Sequence, residues 1–492
     1  MRIFIKRHLA GFFIGTILSS ALFLRLYRIS DLLGFWYDQG RDALVIWDLV
    51  HKGKLFLIGP TTGLAGVFRG PWYYYLITPF YWLGKGNPAV PAAFLALTTV
   101  LAIYVIFRVA RKFFGSLPAY LFLLISSFSF AFINSSRWLS NPTPMFLISA
   151  LYFLGFLRVI EKKNWGWYLV ALMSGMAMQF GSAAELFYVP AAIVFVLLNK
   201  KLAPSFKTII LSIIIFAIPF LPQIFFDVRH GLIITRAIIN NFSATNSNEI
   251  LPWGKFLLER LNLYYNIIAS KFFNGKPIFA APFLLAVIYG LVKSWRKLKK
   301  NLGFEFLLIL VLIPFIGLLF FRGNSGNLYD YYFTGYYFPI ILIFSFLLTT
   351  VIPGVIGNII IGIFLILFLW ANIPPAVNFL NSRMGNPPII YIGDQLSAVD
   401  WIYKDAGSSN FNVDVYVPPV VPYAYQYLFL WRGNSQMVDS QVGLLYTLAE
   451  ADPDHPDRIS AWMDRQDRIG KVENTETIGL ITVQKRERLE TK

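Results

Sequence analysis

Asp38, Gln39, Arg41 and Asp42 stand together in FWYDQGRDALVIWDLVH (35–51), between aromatic residues and directly after a long apolar segment. A carboxylate so placed can serve as a general base whose charge is held by a neighbouring cation, here Asp38 beside Arg41. It can equally cap an amphipathic helix that begins near Gln39 and continues through the Ala43 to His51 stretch. The spacing leaves both open. The surrounding connection, Phe35 to Phe80, is long for a link between membrane helices and ends in the aromatic run Trp72 to Tyr75. It is expected to lie in the membrane interface and to hold a reactive carboxylate over the bilayer.

A second set of candidates is basic: Lys52, Lys54, Arg69, Arg137, Arg229, His230 and Arg322 fall in connections that the topology below puts on the outer side. Cations there run against the usual bias, which points to anion binding, and arginine offers paired planar donors to a phosphate. Lys52 and Lys54 fit simple solvation or snorkelling better. Arg69 in FRGPWYYYL and Arg229-His230 in FFDVRHG are the stronger candidates, because each sits where the chain enters or leaves the bilayer. Glu185, in QFGSAAELFYVP, lies in or beside a membrane segment, where an ionisable group is costly and is usually paired or functional. Asp227 has the same character, with Arg229 nearby as a local ion-pair partner.

Phosphate-binding glycine loops, a dinucleotide fingerprint and H-E-x-x-H are all absent from the sequence. Asp452-Pro453-Asp454 imitates a metal-binding D-x-D, but its proline-rich setting reads as a turn. The aromatics Trp72–Tyr75 and Tyr329–Tyr337 can stack on sugar rings or form an ordinary interfacial belt, and the belt is the default. With no cysteine, disulfides, thiolate metal sites and cysteine nucleophiles are excluded.

The elements that must position these residues are membrane helices. The chain is 57% hydrophobic and only 14% charged, against roughly 25% charged in soluble domains. Its net charge of +17 comes from small basic clusters between apolar runs, which is a topological pattern rather than a nucleic-acid footprint. Apolar segments near 9–29, 88–107, 117–133, 143–160, 166–181, 183–198, 208–226, 277–292, 303–321, 332–351 and 355–373 give about eleven crossings. Clusters at 2–7, 108–112, 158–163, 200–207 and 293–300 then all fall on one side, taken as cytoplasmic, with the N-terminus. The expected fold is an all-α polytopic membrane protein, residues 1–373, carrying a functional outer loop at 30–87. From about Pro374 the composition turns polar, and 374–492 are expected to form a small α/β domain outside the cytoplasm. Helices are expected at 394–404 and 456–466, and strands at 411–417 and 478–485.

This pattern resembles the membrane glycosyltransferases of the GT-C fold, specifically the dolichyl-phosphate-mannose protein mannosyltransferase and lipid A aminoarabinose transferase group. The likeness lies in one crossing followed by a long outer loop with an acidic motif, here Tyr37-Asp38-Gln39, where the family often has Asp-Glu. It continues in Arg69-Gly70-Pro71-Trp72-Tyr73-Tyr74-Tyr75-Leu76, similar to the family's His-Pro-Pro-Leu-Tyr-Tyr pattern. Ser136 to Pro142, with Asn141, occupies the second outer loop, where many members carry an acidic residue, and Tyr332 to Pro339 leads into a late span.

The resemblance implies transfer of a hexosyl or pentosyl group from a polyprenyl-phosphate carrier to an extracytoplasmic acceptor, whether protein, lipid or glycan, by inverting displacement in the cell envelope. Asp38 would be the base or the acceptor-orienting carboxylate. Gln39, Arg41, Asp42, Arg69, Arg137, Asn141, Glu185, Asp227, Arg229 and His230 would bind donor or acceptor. No cofactor is required, and a divalent cation has no support where Gln39, Asn141 and Arg69 replace the family's glutamate, carboxylate and histidine. The rival reading is a transporter or flippase for lipid-linked sugars, which would place ionisable residues deep in several spans. Here the polar residues gather at one face.

Overall fold

Long apolar runs in this chain are cut by glycine, proline and serine clusters, and the helices end where those residues fall. The computed structural model describes residues 2–243, 252–321, 328–350, 354–382, 389–418, 421–433 and 436–489. Each of the eleven apolar segments falls on helix. Among the described residues, seven helical stretches are long and apolar enough to cross a membrane alone, and an eighth is reached if the bent pair Ser116–Phe128 and Phe130–Ser136 is one span. Two shorter apolar helices, Met145–Ile160 and Ala184–Leu198, accompany them.

In chain order, the membrane part comprises α1 (Arg2–Leu26), α2 (Tyr37–Lys52), α3 (Trp72–Leu83), α4 (Ala89–Phe114), α5 (Ser116–Phe128), α6 (Phe130–Ser136), α7 (Met145–Ile160) and α8 (Trp165–Phe180). Then come α9 (Tyr188–Leu198), α10 (Phe206–Ala217), α11 (Leu221–Arg229), α12 (Ile233–Ser243), α13 (Trp253–Ser270), α14 (Ala280–Leu298), α15 (Leu302–Leu319), α16 (Tyr337–Thr350) and α17 (Gly354–Leu380). The stretch ending in α16 is 83% buried and forms the centre, whereas α10 and α11 are 6% buried over their joint span and form the rim. An apolar surface left exposed in this way needs lipid around it.

The α5–α6 bend of 62° exposes backbone carbonyls that a bilayer would leave unsatisfied. Arg25, fully buried, donates to Ser126 O at 3.0 Å and Ser127 O at 3.1 Å, while Asn372 Oδ1 accepts from Phe130 N at 2.8 Å. Arg137 closes the end of α1, its Nη1 donating to Arg25 O and Tyr27 O, both at 2.9 Å.

Residues 389–489 build α18 (Ile392–Ala406), β1 (Asn412–Tyr416), α19 (Tyr423–Arg432), β2 (Leu444–Glu450), α20 (Pro456–Asp467), β3 (Gly470–Ile478) and β4 (Ile481–Arg488). The sheet order is β1-β2-β4-β3, with β1 and β2 parallel and the other pairs antiparallel. The four expected elements are present, joined by α19, β2 and β3, which the periodicity did not reveal.

This domain is seated on the 30–87 loop. Ile392 N donates to Leu33 O at 2.9 Å, Trp36 Nε1 to Ile390 O at 3.0 Å and Tyr427 OH to Gly86 O at 2.6 Å. At Gly40 of α2 the approach is backbone to backbone, for a Cβ there would stand 2.3 Å from Ala424 N.

Candidate active site

The first turn of α2 carries the acidic motif. Gln39 is buried and its Oε1 accepts from Trp36 N at 3.2 Å, so this side chain caps the helix. Asp38 is thereby free of the capping duty open to it in the sequence. Its side chain is 58% exposed, and Arg41 Nη1 reaches its Oδ1 at 2.9 Å, the only ion pair it makes among the described residues. The same guanidinium is anchored on its other side by Asp42 Oδ1, at 2.8 Å from Nη2 and 3.0 Å from Nε. Asp42 is 6% exposed and also accepts from Tyr74 OH at 3.2 Å. Burial pushes its carboxyl up to about 6, against the pull of Arg41. The arrangement holds one arginine rigidly between a buried carboxylate and an accessible one.

A second cluster forms around the connection ahead of α3. Residues 59–69 fold back on themselves, with Gly59 N donating to Arg69 O at 2.7 Å and Arg69 N to Pro60 O at 2.9 Å. Gly70 N then donates to Gln179 Oε1 at 2.7 Å, an approach so close that a Cβ on Gly70 would lie 2.2 Å from that oxygen. Arg69, half-buried, lies 3.5 Å from Ser182 Oγ. Burial draws its pKa down, and the charge of Glu185 acts in the other direction. Glu185 is 1% exposed in the break after α8, where Oε2 accepts from Ser182 N at 2.6 Å and Oε1 from Gly335 N at 3.1 Å. Asn141 joins this cluster through Nδ2, which donates to Phe180 O at 2.7 Å.

Gln179 Nε2, Asn141 Oδ1 and Gln223 Oε1 are buried without a partner among the described residues. Buried polar groups of this kind are ordinarily satisfied, by protein, water or ligand. Tyr331 and Tyr332 lie within electrostatic reach of Arg69, where Trp138 meets Tyr331 edge-on at 5.5 Å and Tyr331 meets Tyr332 at 4.9 Å.

Gln179, Ser182 and Gln223 escaped the sequence reading because uncharged side chains inside apolar runs give no signal. Lys271 was missed too. It is fully buried, bonded to Asp330 Oδ2 at 2.7 Å and set 3.9 Å over the ring of Tyr337, whose hydroxyl donates to Asp330 Oδ1 at 2.9 Å. Its one legible trace was Asp330 within the aromatic run 329–337.

Several residues considered for ligand binding are placed elsewhere. Arg137 is 3% exposed and directs Nη1 at the carbonyls ending α1, while its Nε and Nη2 are buried without a partner among the described residues. Asp227 takes no ion pair from Arg229, because its carboxylate caps α12, accepting from Ile234 N at 2.6 Å and Thr235 Oγ1 at 2.5 Å. Arg229 and His230 are exposed at the end of α11, with the imidazole stacked on Phe226 at 4.1 Å. Lys52 and Lys54 both pair with Asp48, at 2.7 and 2.8 Å. Arg322 lies outside the described residues. Among the described residues no group of three or more His, Asp or Glu is placed to hold a metal ion.

Comparison with known proteins supplies the frame for these clusters. Residues 69–226, about a third of the chain, match the family model of dolichyl-phosphate-mannose-protein mannosyltransferase. Among solved structures, ArnT from Cupriavidus metallidurans bound to undecaprenyl phosphate aligns with TM-score 0.62 at 12% identity, covering 96% of this chain and 97% of that one. Its apo form gives 0.63 at 10% identity, covering 97% and 98%. The archaeal oligosaccharyltransferase AglB from Archaeoglobus fulgidus, in complex with an inhibitory peptide and a dolichol-phosphate, gives 0.50 at 12% identity, covering 90% and 70%. No curated protein matches the sequence. The chain therefore has the GT-C fold, from its first helix to its C-terminal sheet.

Proposed function

We propose that this GT-C-fold chain is a membrane glycosyltransferase that moves a hexosyl or pentosyl group from a polyprenyl phosphate to an extracytoplasmic acceptor with inversion. The observation that carries the reading is Asp38, an accessible carboxylate whose counter-charge, Arg41, is fixed from behind by buried Asp42. In the reaction an acceptor hydroxyl attacks the anomeric carbon, the new C–O bond forms as the C–O bond to phosphate breaks, and Asp38 takes the hydroxyl proton. The departing polyprenyl phosphate gains negative charge, which Arg69 neutralises. Gln179, Asn141 and Gln223 supply the unpaired buried amide groups that suit sugar hydroxyls. With a phosphate acceptor no proton need be removed, and Asp38 orients only.

Support for the donor class comes from ArnT and AglB, solved with undecaprenyl phosphate and dolichol-phosphate respectively, on the same fold. Orientation follows the basic clusters: the N-terminus is cytoplasmic, and the active loop and C-terminal domain lie outside. No divalent cation is required in this scheme, and transfer is expected to persist in chelator.

The test is transfer of labelled sugar from a panel of polyprenyl-phosphate sugars, using protein in lipid discs, with Asp38→Asn beside wild type. Label moving in wild type and not in the folded variant supports the proposal and identifies the donor. No transfer from any donor, with polyprenyl-phosphate binding retained by both proteins, overturns it in favour of a flippase for lipid-linked sugars.

A further inference from the structure

The C-terminal domain holds a cavity of its own. It measures about 480 Å³ and opens at the carboxyl ends of β1 and β2, the parallel pair of the sheet. Volumes of about 300–1,000 Å³ are those of ordinary small-molecule sites, and the carboxyl edge of parallel strands is where open α/β sheets take their ligands.

The walls have a definite chemistry. Tyr416 ends β1, Trp462 comes from α20, and their ring centroids lie 5.7 Å apart. Trp462 is only 8% exposed and so is a fixed surface. Asp452, 6% exposed, accepts from Tyr416 OH at 2.7 Å and from His455 N at 3.2 Å. The turn expected at Asp452-Pro453-Asp454 is therefore present, and it sets a carboxylate at the base of the cavity beside the ring. Arg458 and Arg465, one above and one below Trp462 on α20, line the rim. Both are exposed, and neither side chain makes an ion pair or hydrogen bond among the described residues. Asp457 and Asp464 sit on the same helix but do not line the cavity.

An aromatic wall suits the apolar face of a pyranose, a buried carboxylate suits its hydroxyls, and two unpaired guanidinium forks suit a carboxylate or phosphate carried on the sugar. We propose that this cavity binds an anionic saccharide. The claim concerns binding alone and does not rest on the transfer reading.

The test uses the full chain in discs of neutral phosphatidylcholine, titrated with hexagalacturonate and, as the uncharged control, maltohexaose, by ligand-observed NMR. Hexagalacturonate is expected to bind saturably, at least about tenfold more tightly than maltohexaose, and to weaken as salt rises. Arg458→Glu with Arg465→Glu should weaken it by about tenfold or more at unchanged Tm. Arg458→Gln with Arg465→Gln, closer in size, should act in the same direction and guards against misfolding of the first variant. Absence of saturable binding overturns the proposal. So does equal binding of the neutral oligomer, or binding indifferent to both double variants.

Discussion

Asp38 and Glu185 are both carboxylates associated with an arginine, and the fold gives them opposite surroundings. Asp38 is more than half exposed on α2 and is engaged, among the described residues, by Arg41 alone. Glu185 is buried in the break after α8, with each oxygen already accepting a backbone N–H, from Ser182 and from Gly335. A carboxylate shut away from solvent and held at each oxygen by the backbone fixes geometry, whereas one with solvent access and a single side-chain partner can take a proton from a substrate. In the proposed reaction Asp38 therefore stands at the reacting end, and Glu185 at the end that shapes the site around Arg69.

Removing each group in turn tests this difference in role. Asp38→Asn should lower transfer by about 10²- to 10⁴-fold, the usual worth of a positioned base, with little change in Tm because the side chain is exposed. Arg69→Ala should cost about 10²-fold or more in kcat, measured with saturating donor. Glu185→Gln turns an amide N–H toward a backbone N–H and should reduce stability by about 1–3 kcal/mol, seen as a lower Tm, with transfer reduced only several-fold. Were Glu185→Gln to abolish transfer at unchanged Tm, the roles would be reversed. Asp42→Asn should have the smallest effect on rate, several-fold, through loss of the Arg41 anchor.

Asp42 also sharpens the contrast through pH. Its folded carboxyl titrates near 6 rather than at its ordinary value of 3.8. The folded protein thus binds a proton that the unfolded chain releases between about pH 4 and 6, so this group favours folding on the acid side. That advantage is lost as pH rises through about 6. Tm of wild type relative to Asp42→Asn should therefore fall across that window. Transfer should rise across it, as the ionised carboxylate tightens on Arg41.

The helical framework was legible because apolar runs bounded by basic clusters are long and strongly patterned. The α5–α6 bend was not, since no proline or glycine marks Ser129; its cause is tertiary, in Arg25 and Asn372. Strand β3, GKVENTETI, escaped notice because it is an edge strand exposed along most of its length, held by pairing rather than by an apolar face. The pairing of Asp38 with Arg41 was visible in their spacing. That the Arg137 Nη1 would meet the carbonyls of α1 was not legible, since the two lie about a hundred positions apart in the chain. Lys271 and Asp330, 59 positions apart, could be paired only by the fold.

Gly40 has a bearing on how the molecule is made. The helix bearing Asp38 can seat fully only against residues 423–424, whose backbone it touches where a side chain would not fit. Some 380 residues separate the two in the chain, roughly 20–80 s of synthesis at about 5–20 residues per second. The helix that holds Asp38 is thus completed by a segment that emerges long after it. A chain stalled before residue 423 carries Asp38 without this support, so under the proposed reaction catalytic competence doubles as a check that translation has passed that point.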